Sequence, residues 1–76
     1  MASDFTIMRK KQIGEFVKHK RMGMGLSRKA FGQMIGYDDK CDTYVASFEN
    51  GRTYIPPEKI RAVKEVLGCE YEDLIP

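Results

Sequence analysis

The chain has no tryptophan, one histidine (His19), two cysteines (Cys41 and Cys69) and three prolines among its 76 residues. A structural zinc site needs four Cys or His donors at short spacings, and no CxxC pair exists to start one. One cysteine pair is not the disulfide framework of a small secreted domain, so reduced thiols of a cytosol are expected. No apolar run approaches the roughly 20 residues of a membrane span, and no charged-then-apolar leader opens the chain. There is no nucleophile–base motif and no glycine-rich phosphate loop. These absences argue against an enzyme, a metal site, a cofactor, a small-molecule substrate or a membrane partner, and they favour a cytoplasmic binding module.

What is present suits one small folded domain. Hydrophobic residues make up 42% and charged residues 32%, the range of globular chains rather than disordered tails. At this length a core gives only a few kcal/mol of net stability, and oligomerisation commonly supplements it. The net charge of +2 is unevenly spread: residues 1–40 hold nine bases and four acids, and the remainder holds four bases and seven acids. That asymmetry suggests one basic face.

The apolar spacing is helical throughout, and no segment alternates with period two for long enough to form a strand. Residues 1–8 lack periodicity and read as a flexible arm or a short helical lead-in, leaving residues 9–76 as the domain. A first helix is expected from Arg9 to Met22, with Ile13, Phe16, Val17 and Lys20 or Met24 inward and Gly23 and Gly25 ending it. Ser27 reads as the N-cap of a second helix over Arg28–Ile35, with Leu26, Ala30, Phe31, Met34 and Ile35 inward. A polar turn follows, Tyr37-Asp38-Asp39-Lys40. A third helix is expected over Asp42–Glu49, capped by Asp42, with Cys41, Val45 and Phe48 inward. Pro56-Pro57 opens a fourth helix with the stripe Ile60, Val63, Val66 and Leu67, and Gly68 stops it. Tyr71, Leu74 and Ile75 suggest a last helical turn. The fold class is therefore all-α, a compact bundle of five short helices.

Residues 13–75 resemble the lambda-repressor/Cro-like (XRE-type) helix-turn-helix family. The resemblance rests on Ile13-Gly14-Glu15-Phe16-Val17, on Gly25-Leu26-Ser27-Arg28-Lys29-Ala30-Phe31, on Met34-Ile35-Gly36, and above all on Val45-Ala46-Ser47-Phe48-Glu49-Asn50-Gly51-Arg52. Pro56, Gly68 and Tyr71-Glu72-Asp73-Leu74 complete it. It implies a sequence-specific regulator of transcription in a phage or mobile element. Such a protein is usually a repressor, nucleoid-associated, that binds an inverted-repeat operator in double-stranded DNA as a homodimer. The third helix would lie in the major groove.

On that basis Asp42, Thr43, Tyr44 and Ser47 are the candidate base readers, since their side chains can hydrogen-bond to base edges. Ser27, Arg28, Lys40, Asn50, Gly51 and Arg52 are the candidate phosphate contacts, set at the start of helix two and around helix three. Tyr37 and Tyr54 are further candidates for the DNA backbone. Arg21 and Glu49 match a structural ion pair between the first and third helices. The turn 37–40 is longer than the family's and carries two acids, Pro57 stands near where some members carry a basic residue, and Glu70 stands where serine is common. The loop acids favour the competing reading, a protein-interaction module (adaptor or antitoxin-like) that keeps the same fold.

Overall fold

The computed structural model describes residues 3–76. Ser3 sets the first boundary: its hydroxyl accepts the Thr6 amide at 3.2 Å, and Asp4 follows in the first turn, where the helix dipole favours an acid. Helix α1 therefore runs Asp4–Gly23. Of residues 1–8, expected as an arm or lead-in, residues 4–8 belong to this helix, and residues 1 and 2 lie outside the described residues. Periodicity did not reveal the early start because it buries nothing apolar: Phe5 is 75% and Met8 60% exposed. The cap and the dipole fix it instead.

Helix α2 spans Arg28–Met34, α3 Cys41–Glu49 and α4 Pro57–Leu67, followed by a single 3-10 turn at Tyr71–Asp73. The five helices expected are thus four α-helices and one short turn. Gly68 takes a left-handed conformation (φ 66°) that ends α4, and the chain beyond it forms one 3-10 turn rather than a fifth α-helix. Asp73 holds the short turn by accepting the Glu70 amide at 3.1 Å. No strand occurs among the described residues, and no helix is long and apolar enough to cross a membrane.

The core joins Ile13 and Val17 of α1, Phe31 and Ile35, Val45 and Phe48 of α3, Ile55, Val63 and Leu67 of α4, and Leu74. Phe31 and Phe48 are essentially inaccessible, each contributing about 2–3 kcal/mol over an exposed ring. Ile55, expected in a bare connection, is fully buried. The following Pro56 disfavours helix at this position, and the chain there has no regular secondary structure. Met34 and Met24, expected inside, lie outside. Phe31, Gly32 and the adjoining Ile35 form the buried side of α2, which turns Met34 to solvent.

Two glycines set how closely α3 is held. A Cβ on Gly14 would overlap the carbonyl oxygens of Phe48 and Glu49, so α1 presses backbone to backbone on the end of α3. A Cβ on Gly32 would stand 2.6 Å from the Cys41 Cβ, so α2 meets the start of α3 equally closely. At the far edge Arg9 clamps the chain end: its Nε donates to the Ile75 carbonyl at 3.0 Å, and its Nη2 to the carbonyls of Ile75 and Glu72.

Candidate functional site

Helix α3 buries Cys41, Val45, Phe48 and Glu49 and leaves Asp42, Thr43 and Tyr44 exposed. Its start differs from the sequence expectation. The N-cap is Lys40, in a left-handed conformation (φ 54°), with its amide donating to Asp39 Oδ1 at 2.8 Å. Asp42 is therefore not the cap. It sits inside the first turn, where the dipole favours its charge.

The long turn is built on Tyr37. Its amide donates to the Gly32 carbonyl at 3.0 Å, and its own carbonyl accepts the Cys41 thiol at 3.5 Å. The Tyr37 ring stacks on Tyr44 with centroids 4.8 Å apart, and the ammonium of Lys59, on α4, lies 4.6 Å from the Tyr37 centroid. Partial burial raises the Tyr37 pKa above its ordinary value, helped by Glu58 and Tyr44. Tyr44, expected to face a base, thus gives its ring to Tyr37, though it keeps substantial exposure.

At the other end of α3, Glu49 is wholly buried and carries two arginines. Arg21 Nε donates to Oε2 at 2.7 Å and Arg21 Nη2 to Oε1 at 3.1 Å, while Nη1 donates to the Leu26 carbonyl at 2.7 Å. Arg28 Nε reaches Oε1 at 3.1 Å. Expected as a phosphate contact alone, Arg28 is thus also part of the buried ion pair, with 35% of its side chain exposed. Two cations on one carboxylate leave the cluster with an excess positive charge at the start of α2. Ser27 caps that helix by accepting the Ala30 amide at 3.0 Å.

Ser47 is half-buried, and its hydroxyl pairs with Thr53 at 3.3 Å. Asn50 and Arg52 are exposed beyond α3, and Gly51 turns the chain with φ 75°. The amides of Asn50, Gly51 and Arg52 donate to the carbonyls of Ala46, Phe48 and Ser47. A ligand there would meet side chains rather than free amides.

Open depressions lie along α3. Asp42, Thr43 and Ala46 rim one with Arg21 and Arg28. A second joins Asp42 and Thr43 to Lys29, Gln33, Asp38, Asp39 and Lys40. A third lies at the opposite end of α3, where Lys11, Glu15 and Lys18 of α1 meet Asn50. The α1 lysines escaped the sequence reading, although their seven-residue spacing puts both on one helix face.

Among the described residues no group of three or more His, Cys, Asp or Glu is placed to hold a metal. Both cysteines are free, and burial, with Asp73 nearby, raises the Cys69 thiol above its ordinary pKa. The chain matches no protein-family model, no curated protein and no solved structure.

Proposed function

We propose that α2, the turn and α3 form a helix-turn-helix of the lambda-repressor type, and that the protein is a sequence-specific DNA-binding regulator. It acts as a repressor on an inverted-repeat operator, as a homodimer, in the cytoplasm at the nucleoid. The observation that carries this reading is the outer face of α3. Asp42 and Thr43 stand on it exposed, with no part in the core, on a helix clamped to the rest of the fold at Gly14 and Gly32. A rigid helix with a polar outer face suits readout in the major groove: a threonine serves several bases, and an aspartate accepts from the cytosine amino group. Arg28, Ser27, Lys40, Asn50 and Arg52 flank that face and would set register on phosphates. Tyr44 and Ser47 stand further back in this reading, since each already has a partner within the protein.

Selection of duplexes from a random pool tests it. An inverted repeat with half-sites about 34 Å apart is expected. Thr43→Ala should relax the preference at one base pair by about 1 kcal/mol, the worth of a single hydrogen bond, while leaving the other positions intact. No enriched sequence, together with no retention of any duplex at low salt, would overturn the proposal. A second reading, a protein-interaction module, draws on Asp38, Asp39 and Asp42, which rim one depression beside α3. It becomes the better account if the protein ignores DNA altogether.

A further inference from the structure

Acids and bases mix around the start of α3: Lys29 and Lys40 share a depression with Asp38, Asp39 and Asp42, and Arg21 and Arg28 rim another with Asp42 and Thr43. Beyond its end cations predominate. The backbone of Lys11 lies against Gly51, within 3.3 Å of where a Cβ would stand. The Lys10 ammonium sits 5.2 Å from the Tyr54 ring centroid. Lys18 and Asn50 rim the same open depression as Lys11, and Arg52 is exposed next to Gly51. The acids lining the depression of Lys11 and Lys18 are Glu15, which is exposed, and Glu49, whose carboxylate is already held by Arg21 and Arg28.

We infer that this strip of α1, with Lys11 and Lys18 at its centre and Lys10 and Arg52 beside them, is a polyphosphate-tracking surface. It engages the sugar–phosphate backbone of the same duplex that α3 reads. This rests on the DNA-binding reading and extends it to a helix outside the helix-turn-helix. Lys11 and Lys18 are two turns apart, about 10 Å along the axis, the rise of about three successive phosphates of one strand. The close approach of α1 to the end of α3 at Gly14 fixes the distance between the strip and that helix. The Lys10 ammonium sits over the Tyr54 ring, which limits the freedom it has left to lose on binding. The competing role for these lysines is internal: cations near the carbonyl end of α3 stabilise that helix through its dipole.

Salt dependence separates the two. Affinity for a random-sequence duplex and for the selected operator is measured across a salt series for wild type, Lys11→Gln, Lys18→Gln and the double variant. Each lost phosphate contact should lower the slope of log affinity against log salt by about 0.9, and the double variant by about twice that. The base preference of the selection should stay the same. Lys64→Gln, a lysine of α4 over the Tyr71 ring, should keep the wild-type slope. An unchanged slope in the double variant, with or without a lower melting temperature, overturns the strip and leaves the DNA-binding reading standing. An equal loss of slope in Lys64→Gln also overturns it, by showing an effect of net charge alone. A wild-type protein that binds neither duplex at low salt overturns both proposals.

Discussion

Replacing Arg21 by methionine should remove about a third or more of the stability of this protein. Met keeps much of the apolar stem but takes away a cation that is 9% exposed from a carboxylate that is 0% exposed. Breaking a buried pair by removing one partner costs about 3–5 kcal/mol. Arg28 stays on Oε1 at 3.1 Å, which favours the lower end of that range. The bond from Nη1 to the Leu26 carbonyl goes too, adding about 1 kcal/mol. The sum is about 4 kcal/mol, against a total of about 4–11 kcal/mol for a domain of this length. The melting temperature should fall by about 15–30 °C, since each kcal/mol shifts a domain this small by about 4–8 °C. Urea unfolding followed by circular dichroism measures the loss directly, provided the dependence on denaturant keeps its slope. Glu49→Met should cost a similar amount, because it strands Arg21. The double variant should cost less than the two singles together, by about 2 kcal/mol or more, because an apolar pair leaves no buried charge behind. Arg28→Met should cost under about 1 kcal/mol, given its exposure. Additivity of Arg21→Met and Glu49→Met within about 0.5 kcal/mol would refute the reasoning.

Gly14→Ala should destabilise the fold by about 3 kcal/mol, because the new methyl meets backbone carbonyls that cannot turn aside; a loss below about 1 kcal/mol in urea unfolding would mean that α1 and α3 part easily. Cys69 should govern part of the alkaline limb of stability. Its folded pKa is raised, so the stability tied to the neutral thiol is complete below the ordinary 9.0 and is lost as pH climbs through the folded value. Cys69→Ala should flatten the decline above that pH, and an unchanged decline would contradict the assignment. Alkylation of the native protein should reach Cys69 well before Cys41, which is buried and bonded to the Tyr37 carbonyl.

The parts of the fold legible in the sequence are those decided locally. Ser27 before an apolar run, the Pro56-Pro57 pair and Gly68 after one mark boundaries through the backbone preferences of single residues, and the Val45/Phe48 spacing marks a buried face. Ser3 is a signal of the same kind, hidden because the turn after it buries nothing apolar. The cap of α3 was not legible, since a lysine in a left-handed conformation has no sequence signature; the turn chemistry of Asp39 and the packing of Gly32 on Cys41 put it there. The Tyr37–Tyr44 stack, the Arg28–Glu49 bond and the Arg9 clamp join residues whose distance along the chain carries no periodic trace. The Arg21–Glu49 geometry was anticipated only through resemblance, because nothing in two isolated charges tells a reader that one of them will be buried.

The Arg9 clamp has a consequence for how the molecule opens. It spans 63 and 66 residues of sequence to reach Glu72 and Ile75. Closing so long a loop adds little entropy beyond a shorter one, because the cost grows only with the logarithm of length. It does raise the mean sequence separation of contacts, which slows the search for the native topology relative to a helical bundle with local contacts alone. Once closed, it makes the opening turns of α1 and the last residues a single cooperative unit. Fraying cannot then proceed from one end alone. The first two turns of α1 and the segment through Ile75 should therefore exchange their amides together, as one foldon.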